Sequence, residues 1–133
     1  MDALRALAED IQRDCGVSSV FIARYEEALE PRVESLVYLD RDVFFPTFSY
    51  ALKTSPCECV YRESYFLCEE GIQKVFPGDN ALKELSLEAY EGVLLKRGNE
   101  VLGHLAILDK KKISPSKERL LAYAKEIMDL DLF

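Results

Sequence analysis

The feature that most constrains this chain is a pair of β-rich apolar runs, Leu87 to Leu95 and Glu100 to Asp109, separated only by Lys96-Arg97-Gly98-Asn99. Glycine tolerates the positive φ that a tight reversal demands, so the two runs are expected to close on each other as an antiparallel hairpin. A sheet begins here, and the rest of the sequence has to supply its partners and its cover.

The N-terminal segment supplies both. Leu4, Leu7, Ala8, Ile11 and Cys15 recur at the spacing of one helical face, and Gly16 follows where a C-terminal cap would sit. Ser18 to Tyr25 contains the buried-strand pattern Val-Phe-Ile-Ala, and Val33, Val37 and Leu39 alternate with Glu34 beyond a turn at Glu30 and Pro31. At the other end Ser114 suits an N-cap and Pro115 a first helical turn, after which Leu120, Leu121, Ala124, Ile127 and Met128 mark an apolar helix face.

Residues 41–86 are less regular. Short helical patches at Phe48 to Leu52, Ile72 to Phe76 and Ala81 to Leu85 are broken by Pro46, Pro56, Pro77 and Gly78, and Cys57 to Arg62 reads as a strand. The order helix, strands, helical insert, strands, helix implies an α+β domain: an antiparallel sheet, the terminal helices together on one face, the insert on the other. One domain spanning 1–133 is expected, with helical ends that suit a module cut from a longer signalling protein.

Composition limits the function. A net charge of −7, with basic residues clustered only at Lys110, Lys111 and Lys112, leaves no electropositive stripe for nucleic acid. No apolar run is long enough to cross a bilayer, and the N-terminus lacks the layout of a signal peptide, so a cytoplasmic address without membrane contact is expected. Four cysteines, Cys15, Cys57, Cys59 and Cys68, do not make a disulfide framework, and a single histidine restricts acid–base chemistry.

Several residues nevertheless invite a chemical reading. Cys57, Cys59, Cys68 and His104 hold donors that zinc accepts, yet the Cys-x-Cys spacing is tighter than usual and strand alternation would put Cys57 and Cys59 side by side as small packed residues, so no metal site is assigned. His104 shares a strand face with Leu102, Ala106 and Leu108 and is either a hydrogen-bonded core histidine or a polar group on a pocket floor. The aromatic residues of the insert are either a lid over a ligand or a satellite core. No hydrolytic triad and no glycine-rich phosphate loop can be assembled.

Ser55-Pro56-Cys57, Val60, Cys68, Val75-Phe76-Pro77, Asp79, Leu82, Leu85, Glu88, Tyr90, Gly92-Val93, Gly98 and the run Leu102 to Asp109 resemble, in order and spacing, the GAF domains found beside PAS, histidine-kinase and diguanylate-cyclase modules. The resemblance implies an antiparallel sheet of five or six strands, terminal helices that form a dimerising bundle, and an insert roofing a pocket for a small molecule. It implies a non-enzymatic bacterial sensor working as a homodimer and passing its signal to an output domain such as a histidine kinase or diguanylate cyclase. The alternatives are a ligand-free dimerisation scaffold and a thiol-based enzyme resembling methionine sulfoxide reductases.

The candidate ligand-binding residues are Phe48, Cys57, Tyr61, Phe66, Cys68, Phe76, Tyr90 and His104, with the ligand and any cofactor unknown. Bilin-carrying members attach their chromophore through a cysteine usually followed by histidine, whereas His104 lies far along the chain from every cysteine. The Asn-Lys-x-x-x-Phe-Asp-Glu signature of cyclic-nucleotide binders is absent. Phe76-Pro77-Gly78-Asp79 resembles the segment that precedes the catalytic cysteine of the sulfoxide-reducing branch, but no cysteine follows Cys68.

Overall fold

A computed structural model describes residues 2–133. Its elements in chain order are α1 (Asp2–Cys15), β1 (Ser19–Glu26), β2 (Arg32–Asp40), β3 (Val43–Phe44), β4 (Ser49–Ala51), α2 (Pro56–Glu63), β5 (Tyr65–Cys68), α3 (Ile72–Val75), α4 (Asn80–Glu84), β6 (Ala89–Arg97), β7 (Glu100–Asp109) and α5 (Lys117–Asp129). One antiparallel sheet runs β3-β2-β1-β7-β6-β5, and the short β4 joins the outer edge of β2 beside Arg32 to Glu34 while β3 pairs beside Leu39 and Asp40. The α+β architecture expected from the sequence, with helices and insert on opposite faces of the sheet, is the one observed.

The β6–β7 hairpin turns at Gly98, whose φ of 60° lies in the left-handed region. Along each strand alternate residues face opposite ways. One face receives Val20 and Ile22 of β1, Val93 and Leu95 of β6, and Leu105 and Ile107 of β7, packed under Leu4, Ala8 and Ile11 of α1 and Leu120, Ala124 and Ile127 of α5. Burying each of these large aliphatic side chains contributes about 1.5–3 kcal/mol, so this layer dominates stability. The helices are tied by Tyr123, whose hydroxyl donates to Asp14 at 2.9 Å, and by Arg119, which donates to the Asp14 carbonyl at 3.0 Å.

Glu91 is also on this face and fully buried. Its carboxylate accepts the Tyr65 hydroxyl at 2.6 Å and the backbone N–H of Ser116 at 2.9 and 3.0 Å. Lys117 rests its ammonium 4.6 Å above the Tyr65 ring. A buried acid thereby holds the first turn of α5 to the sheet, where negative charge meets the positive end of the helix dipole.

Several local expectations are corrected. Cys57 to Arg62 is helical, not a strand: Ser55 and Pro56 occupy the N-cap and first-turn positions, and proline there costs no hydrogen bond. On a helix, residues two apart face apart, so Cys57 is buried while Cys59 is only half-buried beside Arg62. Phe48 to Leu52 is not helical but contains β4, drawn into extended form by its ladder with β2. Tyr65 to Cys68 adds an edge strand, β5, that the periodicity did not show. Helix α5 begins three residues after Ser114, with Ser116 at its N-cap. β6 begins at Ala89 because the Leu87 N–H is taken by the Leu82 carbonyl, closing the insert.

The most consequential correction lies in β2. Ile22 pairs with Val37 but Ala23 pairs with Ser35, so Leu36 is an extra residue in a bulge. Val33 therefore faces the insert, while Val37 and Leu39 face the helices. Tyr38, between Val37 and Leu39, lies on the insert face beside Phe21, so the bulge brings Val33 and Tyr38 to the same side.

Candidate functional site

The insert face is built from different material. Phe21 of β1, Tyr38 of β2, Phe45 and Phe48 of the β3–β4 connection, Tyr50 of β4 and Tyr90 of β6 wall a cavity of about 530 Å³, closed by Pro56 and Cys57 of α2 and by Leu82 and Leu85 of the α4 region. The rings pack on one another: Phe21 lies 5.2 Å from Tyr38 and 5.5 Å from Phe48, and Phe48 is nearly parallel to Tyr50 at 6.1 Å. Such a mostly apolar concavity with a few directed polar atoms is the usual form of a small-molecule site. A larger crevice of about 900 Å³ between the end of α1 and the β7–α5 connection is open and lined by surface groups such as Lys111, Lys112 and Arg119. The smaller cavity, walled mostly by aromatic and aliphatic side chains, is the better match to a small-molecule site.

Cys57 is the centre of those atoms. Its sulfur is 3.1 Å from the Tyr50 hydroxyl, 3.3 Å from the Tyr90 hydroxyl and 3.5 Å from His104 Nε2. Gly92 makes this possible, since a β-carbon there would sit 2.8 Å from Val60 and 2.9 Å from the Tyr90 ring. Every member of the cluster is held neutral. Burial pushes the Cys57 thiol up to about 11 against the opposing effect of its tyrosine partners, and burial lowers His104 to about 3. Tyr50 and Tyr90 are raised well above their ordinary values, again chiefly by burial. A thiol in this setting is not a ready nucleophile, because the thiolate is the attacking species.

Three buried polar atoms lack any partner among the described residues: the hydroxyls of Tyr25 and Tyr38, and His104 Nδ1. Only Tyr38 of these three residues belongs to the cavity wall. Charged groups stay at its rim. Lys53 and Glu84 are exposed, and the half-buried Asp79 carboxylate accepts the N–H groups of Ala81 and Leu82 as the cap of α4.

Of the candidate residues, Phe48, Cys57 and Tyr90 line the cavity. His104 lies behind Cys57, fully buried, with Phe21 edge-on at 4.8 Å; the single histidine, far from every cysteine in sequence, is brought against one of them. Phe66 and Phe76 meet each other at 6.0 Å, and Phe66 backs Tyr90 at the same distance, so both support the wall without forming it. Tyr61 leaves the site altogether and packs on Tyr25 at 5.2 Å. Cys68 donates to the Glu70 carbonyl at 3.1 Å. Among the described residues no three His, Cys, Asp or Glu side chains come together as a metal site. Phe21, Tyr38, Phe45 and Tyr50 are wall residues beyond the candidate set; Phe45 and Tyr50 belong to the aromatic-rich insert, and Tyr38 alternates with the apolar Val37 and Leu39, a signal for the opposite face.

No protein-family model and no curated protein matches the sequence. Solved structures do. The chain is similar to the red/green cyanobacteriochrome NpR6012g4 in its red light-absorbing state, with a TM-score of 0.68 and 12% identity over 94% of this chain and 86% of that one. It is similar to a far-red cyanobacteriochrome photoreceptor, with a TM-score of 0.67 and 11% identity over 96% of this chain and 85% of that one. It is also similar to the nlh2 GAF domain of A. aeolicus in an inactive state, with a TM-score of 0.58 and 16% identity over 95% and 78%. At these identities the likeness is one of fold.

Proposed function

We propose that this chain, a domain of the GAF fold, is a sensory module whose insert-face cavity takes a small molecule and whose terminal helices carry the consequence to an output domain. The observation that carries the reading is the aromatic cavity of about 530 Å³ between insert and sheet, with neutral polar groups in its wall. The light-absorbing cyanobacteriochrome and the far-red photoreceptor support it by carrying a sensory role on this fold, and fold alone does not assign function. The thiol-enzyme reading loses support from the buried, protonated Cys57.

A route to the helices is present. Tyr90 on the cavity wall is backed by Phe66, whose neighbour Tyr65 holds Glu91, and Glu91 holds the start of α5. A ligand that binds one packing of β5 and β6 better than another would bias that clasp, since only differential affinity moves such an equilibrium. The proposal includes a homodimer through α1 and α5, an output domain of the histidine-kinase or diguanylate-cyclase kind, and action in the bacterial cytoplasm. Leu130, Leu132 and Phe133 pack against the chain's own core, and Leu121 is the large apolar side chain that α5 leaves exposed for such a contact.

Native mass spectrometry of gently purified protein tests the reading. A dimer carrying a stoichiometric organic mass, displaced when Phe48→Trp fills the cavity, is the expected result. A bare protein whose melting temperature responds to none of a broad library of small metabolites would overturn it.

A further inference from the structure

We propose that the cavity takes an organic cation, a protonated amine on an aromatic body, whose ammonium N–H is received by Oδ2 of Asp79. The proposal rests on the cavity being a ligand site, as above, and adds the charge of the ligand and the atom that holds it.

The balance of charge in the wall favours a cation. Apart from its cysteine and tyrosines, the ionisable residues of the wall are Lys53, Asp79 and Glu84. Lys53 and Glu84 are exposed, where water and salt screen them, whereas Asp79 is half-buried. No arginine or histidine lines the cavity, and Cys57 with Tyr50 and Tyr90 beside it is uncharged. The one shielded charge of the wall is therefore negative. An anion entering the cavity meets that carboxylate and only a solvated lysine to offset it, while a cation meets its opposite.

The carboxylate also has capacity to spare. Both of its hydrogen bonds, from the N–H groups of Ala81 at 3.1 Å and Leu82 at 3.4 Å, go to Oδ1. Among the described residues Oδ2 accepts no hydrogen bond and Asp79 joins no ion pair. Burial pushes the Asp79 carboxyl above its ordinary value against the opposing effect of the two amides, as happens when an anion's lost hydration is incompletely replaced. An ammonium N–H supplies the missing partner through a charge-assisted bond.

The rings supply the rest of the site. Phe21 and Tyr38 are inclined to each other by 58°, and Tyr38 and Phe48 by 63°, so the aromatic wall is a cup and not a flat floor. The negative face of a phenylalanine or tyrosine ring attracts a cation within about 6 Å of its centroid, more strongly where water is excluded. The same rings pack well on an aromatic body. A carboxylate at the rim and six rings below it suit a molecule with an ammonium at one end and an apolar ring system at the other.

The test uses 1-naphthylmethylamine, 1-naphthylmethanol and 1-naphthoate at pH 7.5, titrated by ligand-observed NMR against the intact chain, Asp79→Asn and Glu84→Gln. The three compounds share a ring system and carry a positive, a neutral and a negative group. The amine is expected to bind about tenfold more tightly than the alcohol, the ratio for a charge-assisted bond at a half-buried carboxylate, and the naphthoate most weakly. An asparagine oxygen accepts the same backbone amides and keeps the cap of α4, so Asp79→Asn is expected to fold. It brings the amine down to the level of the alcohol and leaves the alcohol unchanged, whereas Glu84→Gln keeps the preference. Equal affinities of amine and alcohol for the intact chain, a comparison that needs no variant, would overturn the cation assignment while the cavity remained a site. Tightest binding of naphthoate would do the same. A preference that survives Asp79→Asn, or that disappears in Glu84→Gln, would remove Asp79 as its cause. If none of the three compounds bound, the cavity as a ligand site would fall, and the sensory reading with it.

Discussion

The two faces of the sheet use the same strands for opposite ends. On the helix face Leu, Ile and Val from four strands meet two helices, and the core residues there are almost wholly shielded from water. On the insert face aromatic rings and neutral polar groups surround a cavity, and three buried polar atoms go unpaired. A closed aliphatic layer stores stability, because interiors packed to crystal-like density leave nothing to be gained by rearrangement. The insert face gives up some of that stability in exchange for space, and a region with space and unpaired donors is where binding can do work. The difference teaches where to look for function: on the less complete side of the core.

The comparison breaks first if the two faces respond alike to truncation. Ile107→Ala on the helix face is expected to cost about 3–4 kcal/mol, since it opens a cavity in a filled layer, whereas Phe48→Ala at the existing cavity should cost no more than about 1 kcal/mol. Urea unfolding of both variants checks this, and equal losses would show that the insert face is as tightly packed as the other. Glu91→Gln comes next, with an expected loss of about 2 kcal/mol as charge-assisted bonds to Tyr65 and Ser116 become ordinary ones. Hydrogen exchange should localise the loosening to the first turn of α5, and protection unchanged there would remove the clasp from the relay.

His104 gives the insert face a pH dependence. Its folded value of about 3 lies below the ordinary 6.5, so on acidification the unfolded chain takes up this proton first. The stability it permits is complete above about 6.5 and is lost as pH falls toward 3. Between pH 6.5 and 5 the loss should be about 1.5 kcal/mol, and His104→Gln should flatten that part of the profile. An unchanged slope in the variant would place the titration elsewhere. The smallest effect has the reverse sign. Without ligand, Tyr38→Phe should stabilise the chain by up to about 1 kcal/mol, because a buried hydroxyl with no partner is removed. A loss on thermal melting would mean that the hydroxyl has a partner in solution.

The outline of the fold was legible because it depends on patterns that the chain carries locally. The hairpin about Gly98, the helical face from Leu4 to Cys15 and the apolar stripe of α5 all belong to elements found close to where they were expected. The insert was read less well. Ser55-Pro56 was a usable helix-start signal, but the alternation of Cys57 with Cys59 imitated a strand and prevailed. Phe48 to Leu52 carries a helical pattern, and nothing local announces that β2 recruits Ser49 to Ala51 as an edge. Of the candidate ligand-binding residues, Phe48, Cys57 and Tyr90 lie on the cavity wall, while Tyr61 points to a different cluster because α2 turns it away.

By itself, then, the sequence determined which segments would be helix and strand wherever the hydrophobic period was long and uninterrupted, and that both faces of the sheet would be covered. It also determined the chemical stock, aromatic and thiol-bearing with one histidine, from which a site could be built. Only the tertiary structure decided which of those groups meet. The extra residue at Leu36 reverses the alternation of β2, so that Val33 and Tyr38, which strict alternation would put on opposite faces, share the insert face; a one-residue change of register exchanges the two faces of a strand. His104 and Cys57, 47 positions apart, touch because β7 and α2 pack across the sheet. Contacts of that kind are set by how elements are stacked, and the period of a sequence records only the elements.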